Sequence, residues 1–192
     1  MAPKQIAILG TSVSAIGGGI ATSTYFLLPD NSIKAQIIKE NKKILDYGAK
    51  SEFWEIKLHT LTSASTTQKY STTLAGNTWD KLRDWCKTSL SKGFTEKNKD
   101  YTSIKDLCTV PTNKEKLAKE NKNIAVTREL TQKVQSYKTT GNNALSIDIS
   151  GNDNAIASNM EIWCQSALEN EYTETNKNTY PLTLKWCTRE GR

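Results

Sequence analysis

The residues able to do covalent or acid–base chemistry are few and patterned: four cysteines, a single histidine and two glutamates that recur in matching positions. Residues 85–109 begin Trp-Cys-Lys-Thr-Ser-Leu and end Leu-Cys-Thr. Residues 163–188 answer with Trp-Cys-Gln-Ser-Ala-Leu and Trp-Cys-Thr. Cys86 aligns with Cys164, Leu90 with Leu168 and Phe94 with Tyr172. One inserted residue, Thr179, precedes the matches of Tyr101 with Tyr180 and Cys108 with Cys187. The two separations are 22 and 23 residues. Pairing Cys86 with Cys108 and Cys164 with Cys187 is therefore the most economical of the three connectivities that four cysteines allow, with a link between copies as the rival. Loops of that size would contribute about 3 kcal/mol per bridge in the chain-entropy account. Four reduced cysteines buried beside their tryptophans are the plainer alternative.

Other chemistry is thinly supported. A zinc site draws ligands from close doublets of the C-x₂₋₄-C kind, and none occurs. With His59 alone, every nucleophile–base arrangement must run through one residue, and no Gly-x-Ser-x-Gly elbow is present. Glu96 and Glu174 form a carboxylate pair on paper. The simpler reading of Thr95-Glu96, Asn98-Lys99 and their copies Thr173-Glu174, Asn176-Lys177 is a polar hairpin loop whose threonine and asparagine side chains bond the backbone. The five tryptophans sit at helical spacing beside the cysteines, as core residues do. No catalytic residue, cofactor or metal is assigned.

The elements that must position the cysteines are helical. Thr78 is a cap position for a helix with Trp79, Leu82, Cys86 and Leu90 on one face, and Gly93 stands as its terminator. Tyr101, Ile104 and Cys108 continue on a second helix, so each copy reads as an αα-hairpin with a cysteine on each facing side. Ser51 caps a helix with Trp54, Leu58 and Leu61. Thr112-x-x-Glu115 is a capping-box signal, and Leu130, Val134 and Tyr137 follow Thr127 at helical spacing. Residues 139–154 turn to Gly, Asn, Ser and Asp around Leu145 to Ile149, a linker or a short strand.

From Gln5 through Leu28 no charged side chain occurs. A helix rising about 1.5 Å per residue would cross a roughly 30 Å hydrocarbon core with that length. The segment is an uncleaved anchor or a signal peptide cut after Ala21. A dinucleotide-binding turn fails, because Ser12 and Ala15 stand where two of its three glycines belong. Lys34, Lys39, Lys42, Lys43 and Lys50 follow the segment, which under the positive-inside rule keeps the body in the cytoplasm. Paired cysteines without metal spacing argue for an oxidising exterior, and long domains translocate largely regardless of charge.

The expected architecture is all-α, an N-terminal membrane helix or signal segment followed by a small helical domain with two disulfide-closed hairpins. Its divisions are 1–30 (anchor or signal), 31–75 (juxtamembrane helical region), 76–112 (first hairpin), 113–154 (helix and linker) and 155–192 (second hairpin). A net charge of +6 with lysines and acids interspersed lacks the clustered basic face of a nucleic-acid binder. The implied partners are a membrane, through residues 5–28, and an outside protein or cell-surface molecule.

The Trp-Cys at 85–86, Leu-Cys-Thr-Val-Pro at 107–111, Lys-Trp-Cys-Thr at 185–188 and the glycine-rich apolar start resemble the short paralogous hypothetical proteins of haemotropic mycoplasmas. The resemblance implies a wall-less cell whose plasma membrane is its surface, and a candidate surface antigen with no assigned activity. It carries over no catalytic or binding residues. The functional expectation is a membrane-attached, surface-displayed interaction module. A small secreted hydrolase using the acidic pair and a cytoplasm-facing membrane adaptor are the alternatives.

Overall fold

The computed structural model describes residues 30–63, 70, 77–141, 143–173 and 179–191. The leader, Ala21 and three of the second-loop residues, Glu174, Asn176 and Lys177, lie outside these. Among the described residues there is no helix long and apolar enough to cross a membrane.

Eight α-helices make up the described body: α1 Ile33–Lys39, α2 Ser51–Thr62, α3 Trp79–Leu90, α4 Tyr101–Cys108, α5 Asn113–Lys119, α6 Thr127–Thr140, α7 Asp153–Glu169 and α8 Thr179–Cys187. No strand forms among the described residues beyond isolated bridges. The segment around Leu145 is a turn, with Asn143 and Ser146 at φ 54° and 50°. It is pinned where the buried Leu145 donates its N–H to the Tyr137 hydroxyl, 3.2 Å away. The start of α2 differs by one residue from the sequence reading: Lys50 is the cap and Ser51 the first helical residue. Helix α3 ends at Leu90, three residues before Gly93.

The fold is a duplication longer than the cysteine hairpins. Helices α1 to α4 form one repeat and α5 to α8 the other. Ser32 caps α1 by accepting the Ala35 N–H at 3.1 Å, and Thr112 caps α5 in a full capping box with Glu115. Both helices close on an asparagine in the left-handed region, Asn41 at φ 58° and Asn121 at φ 54°, the conformation that frees a helix end to reverse. The backbone ties repeat as well. Ile33 N–H to Lys92 O at 2.8 Å answers Asn113 N–H to Asn170 O at 2.9 Å. Leu45 N–H to Cys108 O at 2.9 Å answers Ala125 N–H to Cys187 O, also 2.9 Å.

Each repeat wraps its own apolar core. The first gathers Ile33, Ile37, Trp54, Leu82, Leu90, Ile104 and Leu107 around Cys86 and Cys108. The second gathers Leu130, Val134, Tyr137, Ile156, Met160 and Trp186. The bridges are Cys86–Cys108 and Cys164–Cys187, each with Cα atoms 5.5 Å apart, joining α3 to α4 and α7 to α8. All four cysteines are buried, and no described cysteine is free. Helices α4 and α8 have only 8 and 9 residues, too short to persist alone in water. The covalent tie to a longer partner holds each in register.

Replacing Cys86 and Cys108 together by alanine should lower unfolding free energy by about 3 kcal/mol. The same pair of changes at Cys164 and Cys187 should cost a similar amount. Denaturant titration of the two double variants checks this.

Candidate functional site at the junction of the repeats

The repeats meet where α5 lies against α2, and the contact is built on charge. The Lys57 ammonium, 2% exposed as a residue, donates to both carboxylate oxygens of Glu115 and to the Asp106 carbonyl, each at 2.8 Å. Its three protons are thereby occupied. Burial pushes the Lys57 ammonium below its ordinary value, and the Glu115 carboxylate opposes that shift. Glu115 also accepts the Thr60 hydroxyl at 3.1 Å and the Thr112 N–H at 2.7 Å. One carboxylate thus caps α5 and receives the buried cation of the preceding repeat.

Two further pairs continue along the contact. Lys116 meets Glu52 at 2.6 Å and Glu120 at 3.0 Å, and Lys119 meets Glu55 at 2.7 Å. The hydrogen bond from Lys116 holds the Glu52 carboxyl below the usual range. Desolvation works against the Lys116 charge, but Glu52 and Glu120 outweigh it and raise the ammonium. Tyr172 closes this side, its hydroxyl 3.3 Å from Glu52 and its ring 5.7 Å from Phe53.

Beside this contact opens a cleft of about 410 Å³ whose walls include Lys42, His59, Lys105, Asp106, Lys114 and Glu171. The lone histidine stands on its wall, half-buried on α2. Lys43 reaches across to Glu171 at 2.8 Å. The basic and acidic side chains of the lining are interspersed, so the cleft has no single-sign field to concentrate a charged ligand. Lys57 and Glu115, on its floor, are committed to one another and to the backbone.

In the first hairpin loop, Thr95, Glu96 and Lys99 are exposed and Asn98 is half-buried. The Asn98 side-chain amide donates to the Gly93 carbonyl at 3.0 Å, and its backbone N–H donates to the Thr95 carbonyl at 3.0 Å. The asparagine is therefore the fastener of the loop, and its neighbours are the presented side chains. Of the second loop, Thr173 is described and follows directly on Tyr172 at the repeat junction. Trp54 and Trp186 are buried, and Trp79, Trp85 and Trp163 pack on the two cores, so no open aromatic strip forms. Among the described residues no cluster of three or more His, Cys, Asp or Glu side chains is placed to hold a metal ion.

The sequence reading found the cysteines and the loops but missed Lys57, Glu115 as its partner, and the α2–α5 contact. A signal was present. Lys39-Glu40-Asn41-Lys42 recurs as Lys119-Glu120-Asn121-Lys122, and Lys57 recurs as Lys133. Lys133 donates to the Lys185 carbonyl at 2.8 Å, the counterpart of the Lys57 bond to Asp106 O.

Comparison with family models, curated proteins and solved structures gives no match to this chain.

Lys57→Ala should destabilise the body by about 3 kcal/mol, since Glu115 loses its partner in a mostly dry site. Lys57→Met combined with Glu115→Gln should recover most of that loss, because glutamine retains the capping box. Chemical denaturation of the single and double variants tests the pair. A pH dependence also follows from Glu52. Its folded value lies below the ordinary 4.5, so its stabilising effect is complete above that value and is lost as pH falls through the folded one. Thermal melts should decline with acid across this window, and Glu52→Gln should flatten part of the decline.

Proposed function

We propose that the chain is a membrane-attached, surface-displayed interaction protein of the antigen type, without catalytic activity. Its membrane tie is the apolar segment 5–28, and its body lies outside the cytosol, or is released if the leader is cut after Ala21. The two buried disulfides are the observation that carries this reading. Bonds of this kind persist in oxidising surroundings and are rare in reducing cytosol. They tie together the helices that flank each polar loop, α3 to α4 through Cys86 and Cys108 and α7 to α8 through Cys164 and Cys187. A clasped loop presents its side chains at a lower entropic cost of binding than a free one. Thr95, Glu96, Lys99 and the second-copy residues Thr173, Glu174, Asn176 and Lys177 are the proposed contact residues, with Asn98 as fastener. Surface loops of this kind tolerate variation and carry recognition.

Protease treatment of intact cells producing the protein should cleave the body and leave a cytosolic marker whole. Protection of the body would instead favour a cytoplasm-facing adaptor. Alanine substitution across both loops should abolish recognition by antibodies raised against the folded protein, or attachment to target cells, while both bridges remain intact by non-reducing mass spectrometry. Unchanged recognition would remove the loops from the proposal.

A further inference from the structure

The duplication supplies a template for a surface on α1, where Ile38 and Lys39 are exposed. Helix α5 has an inward side, Asn113, Leu117 and Glu120, and an outward side, Glu115, Lys116 and Lys119, which α2 covers. Helix α1 takes the same seat in its own repeat. Ile33 and Ile37 are buried, and Glu40 accepts the Tyr101 hydroxyl at 2.6 Å just as Glu120 accepts that of Tyr180. The isolated bridges Ser32 to Gly93 and Ile44 to Thr109 match Thr112 to Glu171 and Ile124 to Thr188. With inward sides and backbone ties equivalent, the outward sides are equivalent too. On α1 that side is Ala35, Gln36 and Lys39, with Ile38 at its edge.

This side keeps the donors of its copy. Lys39 stands where Lys119 meets Glu55, and Gln36, whose amide donates to Glu40 at 3.2 Å, stands where Lys116 meets both Glu120 and Glu52. Ile38, 52% exposed, stands at the edge of this side in place of Ala118, which is itself exposed. The surface that covers the positions of Gln36 and Lys39 in the second repeat is α2, which offers Glu52 and Glu55, three residues apart on one helical face.

We infer that the outward face of α1, centred on Gln36 and Lys39, is a docking site for an acidic helix of a partner protein that carries two carboxylates three residues apart. The occupant is not a second copy of this chain. The face of a copy equivalent to α2 belongs to α6, where Arg128 and Thr131 replace Glu52 and Glu55. Arg128 would meet the donors of α1 with like charge, so copies do not extend the array end to end. The inference does not depend on which side of a membrane the body occupies, and it concerns a different surface from the hairpin loops.

The test uses the full chain in non-ionic detergent and a fluorescent alanine-based helical peptide with the α2 spacing Glu-x-x-Glu, its helicity verified by circular dichroism. Anisotropy should show saturable one-to-one binding. Lys39→Glu in the protein, or exchange of both peptide glutamates for lysine, should weaken it by roughly tenfold or more, and Ile38→Asp should weaken it as well. Lys39 is exposed and belongs to neither core, and intact bridges in each variant by mass spectrometry would show that the fold is retained. Absence of saturable binding to the helical peptide, or binding indifferent to Lys39→Glu, overturns the inference. So does self-association of the chain that Lys39→Glu abolishes, which would make a second copy the occupant. Lys39-dependent attachment to phosphatidylserine vesicles without peptide binding would likewise overturn it, in favour of a lipid surface.

Discussion

An ammonium buried in a small protein costs several kcal/mol unless each of its protons finds a fixed acceptor. Lys57 meets that demand by drawing two helices around itself. The last turn of α4 supplies the Asp106 carbonyl, and the first turn of α5 supplies both oxygens of Glu115. The helix end and the carboxylate are each suited to the task, since a helix C-terminus presents unpaired carbonyls and partial negative charge. The spacing of the repeats and the cleft beside them follow from this joint. If the ammonium moved outward, Glu115 would lose the partner that seats α5 on α2.

Each repeat is then made durable in its own way. Short helices bring few apolar residues apiece, and a body with two separate cores has less shared burial than one of equal length with a single core. The bridges compensate by tying α3 to α4 and α7 to α8 within each core. The two repeats use corresponding faces differently: α2 of the first lies against α5 of the second through Lys57 with Glu115, Glu52 with Lys116 and Glu55 with Lys119. Lys133 illustrates the adjustment. It holds the α8 carbonyl as Lys57 holds that of α4, but its second acceptor is the backbone carbonyl of Gly191 rather than a carboxylate of a following helix. Polar residues on α6 in place of Glu55 and Ile56 complete the change.

Much of the secondary structure was legible from side-chain period alone. Trp79, Leu82, Cys86 and Leu90 announced α3, and Thr112 with Glu115 announced the start of α5, because capping and one-sided burial act over a few residues. The Leu145 segment was not legible. Its alternation with polar residues suits a strand, but two residues adopt left-handed conformations and no strand among the described residues pairs with it. The full extent of the duplication was missed because, outside the short Lys-Glu-Asn-Lys run, the first two helices of each copy share burial more than residue identity. Ile37 against Leu117, or Trp54 against Leu130, preserves burial without preserving identity.

The chain by itself determined the helical class, the equal cysteine intervals and the polar character of the loops, because each depends on residue type and local spacing. Only tertiary structure decided that each cysteine pairs within its own copy, that Lys57 is buried, and that Glu115 serves a helix cap and an inter-repeat ion pair at once. Those outcomes join residues dozens of positions apart. They depend on how the closed units stack, and the spacing of side chains along one helix carries no record of that.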